Sequence, residues 1–129
     1  MYTVFVDGSS GTTGLRIEER LKARKDCRLI RLDEALRKDR NAKKDALNAS
    51  DIAFLCLPDA AAAESVSLVD NPRTAVIDTS TAHRTCEGWV YGFAELKGQK
   101  EKIRASKRIA NPGCHASGFI ALIRPMVEA

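Results

Sequence analysis

Near the start of the chain a short apolar run, Thr3–Asp7 (TVFVD), passes directly into Gly8-Ser9-Ser10-Gly11-Thr12-Thr13-Gly14, where a helical pattern begins. The run is rich in β-branched residues and stops at a glycine, as a buried strand does. The GxxGxxG spacing is a variant of the GxGxxG turn with which a parallel α/β sheet holds a dinucleotide. In that arrangement Gly8 permits a tight turn, Gly11 lets the backbone approach a pyrophosphate, and Gly14 lets the helix pack closely on the strand. The helix start offers free N–H groups and the positive end of its dipole to phosphates. The hydroxyls of Ser9, Ser10, Thr12 and Thr13 add donors.

The rest of the chain repeats the strand–helix alternation. A helix is expected over Thr13–Lys25, with Leu15, Ile17 and Leu21 on its apolar side. Strands follow at Cys27–Leu32, Ile52–Leu57, Ala75–Asp78 and Arg108–Ala110, with helical pieces over Asp33–Asn48, Ala60–Val69, Ala94–Lys107 and Cys114–Val127. Asp59, after Pro58, is the expected N-cap of the Ala60–Val69 helix, and Pro125 falls inside the last. Ser80–Gly92 shows no periodicity and reads as a long loop, a kind of segment that is often functional. The expected architecture is a Rossmann-type open parallel sheet with helices on both faces and right-handed crossovers. Ligands then sit at the carboxyl ends of the strands, so the loops after Asp7, Leu57, Asp78 and Ala110 should share one edge.

Length and composition limit the alternatives. The 129 residues have room for one compact domain, and 44% apolar with 29% charged residues is ordinary for a globular protein. No apolar run approaches the roughly 20 residues that cross a bilayer, and the N-terminus enters a strand pattern at once. No membrane association and a cytoplasmic location are therefore expected. The net charge of +4 resides largely in Arg37–Lys44 and Lys97–Arg108, which read as solvated helix faces; with 5% aromatics, nucleic acid is not the expected partner. The sheet's second strand ends among Arg31, Arg37, Lys38 and Arg40, which suit a 2′-phosphate, and beside Asp33, which suits unmodified ribose hydroxyls. Residues alone leave NAD and NADP open.

Of four cysteines, Cys27 and Cys56 fall in apolar strand patterns and Cys86 in a loop; no CxxC pair exists, so no metal site is expected. Cys114 differs. It follows Asn111-Pro112-Gly113 at the junction of a strand and a helix, where the helix N-terminus favours the nucleophilic thiolate and offers amides to an oxyanion. Asp78–Arg84 (DTSTAHR) follows the fourth strand on the same edge, and Arg84 provides a fork for phosphate or carboxylate. His83 reads as a surface residue or hydrogen-bond donor, and His115, beside Cys114 on a helix, should point elsewhere. Neither serves as a base. A thiol nucleophile beside a nicotinamide implies acylation of the thiol, then reduction of the thioester to an aldehyde.

Gly8–Leu15 (GSSGTTGL), Leu55–Asp59 (LCLPD), Asp78–Arg84 (DTSTAHR), Gly88–Phe93 (GWVYGF) and Asn111–His115 (NPGCH) together resemble the N-acetyl-γ-glutamyl-phosphate reductases, in particular their shorter second type. The likeness implies NADPH-dependent reduction of N-acetyl-γ-glutamyl phosphate in arginine biosynthesis, with Cys114 as the acyl acceptor. It assigns the cofactor to the Gly8–Gly14 turn with Leu57 and Pro58, and the acyl-phosphate substrate to Ser80, Arg84 and Asn111. It also implies a homo-oligomer. Residues 1–129 would be the cofactor domain, ending just after the nucleophile. A second domain, which in that family supplies the catalytic histidine and oligomer contacts, would be absent from this chain, leaving it inactive alone. The alternatives are an aspartate-semialdehyde-dehydrogenase-like enzyme and a non-catalytic nucleotide-binding fragment.

Overall fold

The computed structural model describes Met1–Ala129. In chain order the elements are β1 (Tyr2–Asp7), α1 (Thr12–Lys22), β2 (Cys27–Ile30), a 3-10 turn (Glu34–Leu36), α2 (Arg40–Ala49), β3 (Ile52–Leu55), α3 (Asp59–Ser67), β4 (Ala75–Asp78), β5 (Val90–Tyr91), α4 (Gln99–Ala105), β6 (Arg108–Ala110) and α5 (Cys114–Glu128). The six strands form one sheet of order β2-β1-β3-β4-β6-β5, and every pairing is parallel. The expected Rossmann-type sheet is present. The chain steps from β1 outward to β2, then returns to the other side of β1 to lay down β3. Such a reversal is where open α/β sheets bind ligands.

Side-chain alternation sorts the core into two faces. Phe5, Ala53, Leu55 and Val76 join Ala46 and Leu47 of α2 and Ala62 of α3 in one cluster. Val4 and Val6, buried but outside that cluster, point to the opposite face, which α1 covers. Its inward stripe is Gly14, Ile17, Glu18 and Leu21, whereas Leu15 is 51% exposed, contrary to the sequence expectation. The reason is Gly14: with no side chain, it brings the first turn of α1 down onto the loop and rotates its neighbour outward.

Two other expectations need correction. The Ala94–Lys107 helix shrinks to Gln99–Ala105 because Gly98 adopts φ 75 at its start, ending the preceding turns. The loop Ser80–Gly92 contains β5, a two-residue strand paired with Ile109 and Ala110, too short to show a period. α5 contributes no buried residue, and Phe119, Leu122, Met126 and Val127 on it are exposed. No helix is long and apolar enough to cross a membrane.

Candidate active site

Register places the functional edge. Asp7 pairs with Leu55, Leu55 with Asp78, and Asp78 with Ala110, so four strands end level with one another. The loops that leave them carry the glycine turn, Leu57-Pro58, the DTSTAHR segment and the Asn111–Cys114 turn. All lie on one edge, as expected from the alternation.

In the glycine turn, Gly8 has φ 84, and a Cβ there would lie 2.2 Å from the carbonyl oxygen of Cys56. At Gly14 a Cβ would come within 2.3 Å of the Gly8 carbonyl oxygen and 2.7 Å of Ser9 Cα. Both glycines are required by backbone crowding. Gly11 is not; a Cβ there would meet only the Gly8 oxygen, at 3.6 Å. Gly11 is the N-cap of α1, no side chain caps the helix, and the first internal bond is Leu15 N–H to the Gly11 carbonyl. The opening amides are free to meet an anion.

A cavity of about 600 Å³ extends from this turn to the end of β2, within the usual range for a small-molecule site. Gly8, Ser9, Ser10 and Leu57 line it, together with Arg31, Arg37 and Lys38. Gly11, Thr12 and Thr13 are exposed, Gly14 is buried, and Pro58 is the N-cap of α3 outside the lining. Among the other charged groups there, Lys43 pairs with Asp7 at 3.2 Å and Lys22 with Glu18 at 3.5 Å. Arg31, Arg37 and Lys38 have no such partner, and Glu34 is the one acid left beside them. Arg40 is diverted to Glu64 at 3.4 Å. Asp33 does not line the cavity; it occupies the N-cap position of the 3-10 turn, without a side-chain bond.

Cys114 is the first residue of α5 and is exposed. Gly113 is the N-cap, again with no side-chain cap, and the first internal bond is Ser117 N–H to the Gly113 carbonyl. His115 Nδ1 lies 3.7 Å from Cys114 Sγ, closer than neighbours on a helix normally come. Both are exposed in the first turn, where no packing prevents their side chains from converging.

Arg84 Nε donates to the Asn111 carbonyl at 3.1 Å and Nη2 to the Thr79 carbonyl at 3.3 Å. Its guanidinium rests on Gly113, where a Cβ would fall 2.7 Å from Nη1. Nη1 has no acceptor in the protein and is not buried. Asn111 is exposed, with its amide N–H held by the Asp78 carbonyl at 2.8 Å. Ser80 is 8% exposed; its hydroxyl donates to Asp78 at 2.8 Å and accepts from the Ala82 amide at 3.2 Å. The structure thus brings Arg84, Asn111 and Cys114 together and commits Ser80 to the loop beneath them.

One further residue differs from the sequence reading. Asp59 does not cap α3: it stands in the first turn, and its carboxylate accepts the amide and hydroxyl of Thr81. Those two bonds hold the Asp59 pKa below the usual carboxylate range. Of the two readings of His83 the hydrogen-bonded one holds: the ring is part-buried, with Nδ1 2.6 Å from Asp78 Oδ2. Cys56, half-buried behind the glycine turn, has its thiol pKa pushed up by burial and by the nearby charges of Asp7 and Asp78, against an opposing bond from Thr79.

A fully parallel sheet with an uncapped glycine turn at its reversal point is the arrangement of a dinucleotide-binding domain. Residues 9–106 match the family "Semialdehyde dehydrogenase, NAD binding domain", and the chain belongs to it. The chain is 54% identical over 127 residues to N-acetyl-gamma-glutamyl-phosphate reductase 2 of Pseudomonas putida, and 55% identical over 127 residues to N-acetyl-gamma-glutamyl-phosphate reductase of Chelativorans sp.. Each match covers 98% of this chain and 41% of the relative, so the chain spans about two fifths of their length. The fold is also that of aspartate semialdehyde dehydrogenase from Francisella tularensis, with a TM-score of 0.70 at 17% identity over 99% of this chain and 41% of that one.

Proposed function

We propose that residues 1–129 form the cofactor domain of an NADPH-dependent reductase that converts N-acetyl-γ-glutamyl phosphate to the semialdehyde in arginine biosynthesis. The observation that carries this is the junction of Cys114, the open amides of α5 and Arg84 Nη1, on the same edge as the glycine turn. The relatives' shared name favours the N-acetylglutamyl substrate over an aspartyl one.

The Gly8–Gly14 turn fits the pyrophosphate, with Leu57 beside it. Arg31, Arg37 and Lys38 fit a 2′-phosphate better than unmodified ribose hydroxyls, because they line the cavity and Asp33 does not. When bound, the nicotinamide supplies hydride.

The chain's own residues do the rest. The Cys114 thiolate attacks the acyl carbon, the C–O bond to phosphate breaks, and a thioester forms on Sγ. The amides opening α5 face the oxygen on which charge develops. Arg84 Nη1 holds the departing phosphate as one arm of its fork, and Asn111 borders the acyl chain. Ser80 acts through the loop, keeping Arg84 in place. With hydride supplied there, the thioester carbonyl would be reduced to an aldehyde and Cys114 would leave as thiolate. The other parts of the reading are a homo-oligomer built by the remainder of the protein and a cytoplasmic location, the latter in keeping with four free cysteines.

The test is mass spectrometry after exposure to N-acetyl-γ-glutamyl phosphate without reductant. A hydroxylamine-labile acyl group on Cys114, with one equivalent of phosphate released and neither seen in Cys114→Ser, is the expected result. Acylation elsewhere, or none, refutes the assignment.

A further inference from the structure

His83 lies on this edge and has no part in the reaction just described, yet it is held in place from two sides. Its side chain is 12% exposed, and Nδ1 lies 2.6 Å from Oδ2 of Asp78, which is fully buried. Its ring stacks on Trp89, centroids 4.1 Å apart and planes inclined by 18°. The same Asp78 carboxylate accepts the amide of Ser80 at 2.9 Å and its hydroxyl at 2.8 Å. A carboxylate taken out of water is stable only when hydrogen-bonded donors surround it. Here all three donors come from the five residues that follow it, so satisfying Asp78 folds the loop into one shape.

The next residue is Arg84. With His83 fixed inward, Arg84 leaves the loop toward the turn before Cys114, where two of its nitrogens bond the Asn111 and Thr79 carbonyls and Nη1 remains open. We propose that His83 is a positioning residue: through Asp78 and Trp89 it sets Arg84 Nη1 beside Gly113, where it receives the phosphate oxygens of the substrate. This rests on the reading of Arg84 as the phosphate grip. A long arginine side chain loses much rotamer freedom on binding an anion, and fixing its backbone and two of its three nitrogens beforehand removes most of that loss. A displacement near 1 Å at such a group costs up to about 100-fold in rate.

Inorganic phosphate is the probe, and protection of Cys114 from iodoacetamide is the readout, followed with the melting temperature of each variant. The unsubstituted chain should be protected by phosphate, and Arg84→Gln should lose that protection. His83→Ala should raise the half-protecting phosphate concentration about tenfold. His83→Asn, whose amide nitrogen reproduces the Nδ1 donor to Asp78, should recover most of it, whatever either does to the melting temperature. If His83→Ala does not fold, Trp89→Leu takes its place, since it removes the stack and leaves the Asp78 bond; an unchanged phosphate requirement there overturns the proposal. So does His83→Ala with normal protection while Arg84→Gln has lost it, in which case Arg84 still grips phosphate. Absence of phosphate protection in the unsubstituted chain removes the grip itself and the inference with it.

Discussion

Alanine at Gly11 and at Gly14 should have opposite consequences, although the two glycines are three residues apart in one turn. At Gly14 the added methyl would sit 2.3 Å from one backbone atom and 2.7 Å from another, so no rotamer change relieves it. Forcing a group into such a site costs about 3 kcal/mol at the upper end of overpacking. Helix propensity returns about 1 kcal/mol, since alanine is that much better than glycine inside a helix. The net loss is about 2 kcal/mol, or about 8 °C in melting temperature for a domain of this size. At Gly11 the methyl meets one atom at ordinary contact distance, and φ −83 with ψ 167 suits alanine. Lower entropy of the unfolded chain and a weaker N-cap nearly cancel, leaving stability within about 0.5 kcal/mol of the parent. The methyl would nevertheless stand where the pyrophosphate approaches, and NADPH affinity should fall at least about tenfold. Circular-dichroism melts without ligand and fluorescence titration with NADPH separate the two effects. Unaltered NADPH binding by Gly11→Ala would mean that the pyrophosphate does not cross this turn. A Gly14→Ala protein as stable as the parent would refute the packing argument.

Other consequences are as specific. Arg37→Gln with Lys38→Gln should weaken NADPH binding about tenfold and leave NADH nearly unchanged, because only NADPH carries the charge that these side chains meet; equal losses for both cofactors in paired titrations would contradict the assignment. At neutral pH, peptide mapping after brief iodoacetamide treatment should find Cys114 and Cys86 labelled well before Cys56, whose thiol is half-buried with its pKa raised. NADP should slow labelling of Cys114 more than of Cys86, and equal slowing would separate Cys114 from the cofactor. Asp59 has a folded pKa below its ordinary 3.8, so its contribution to stability is complete above that pH and is lost as acid titrates the folded form below it. Asp59→Asn should therefore flatten the acid limb of the stability profile in that range, and an unchanged limb would show that Thr81 does not depend on the charge.

Much of the arrangement was legible because it rests on backbone rules. A β-branched run ending in glycine, or an Asn-Pro-Gly turn before an apolar helix, marks strand and helix ends whatever the tertiary context, and β4 and β6 have the bounds read from the sequence. The edge then follows from parallel pairing alone. What the sequence did not disclose depends on contacts between distant segments. His83 in a polar loop gave no sign that a buried Asp78 lay beneath it, although the five-residue spacing within DTSTAH was the available clue. Asp59 after Pro58 looked like a cap because nothing local announces that Thr81, 22 residues on, takes its carboxylate. Choosing among Asp33, Arg31, Arg37 and Lys38 required knowing which side chains the 3-10 turn carries into the cavity.

The distribution of charge over the helix starts accords with the two anion positions that the proposed reaction needs, on an edge that offers five. In parallel α/β units each α-helix begins near the carboxyl end of the strand before it, so all five present the positive end of a dipole to the same side. Three are already answered by the chain: α2 by Asp39, whose carboxylate accepts the Ala42 amide at 2.7 Å, α3 by Asp59, and α4 by Glu101 in its first turn. Only α1 and α5 have neither a side-chain cap nor an acid in the first turn. Both begin after a glycine N-cap, which leaves the amides uncovered, and each has a cation within reach of what would bind there, Arg31 with Arg37 and Lys38 near one, Arg84 at the other. On the proposed reading, the dinucleotide takes the open start of α1 and the acyl phosphate that of α5, beside Cys114, while the chain itself answers the other three. The proposed hydride donor and its acceptor would thus meet one edge through the same backbone feature used twice.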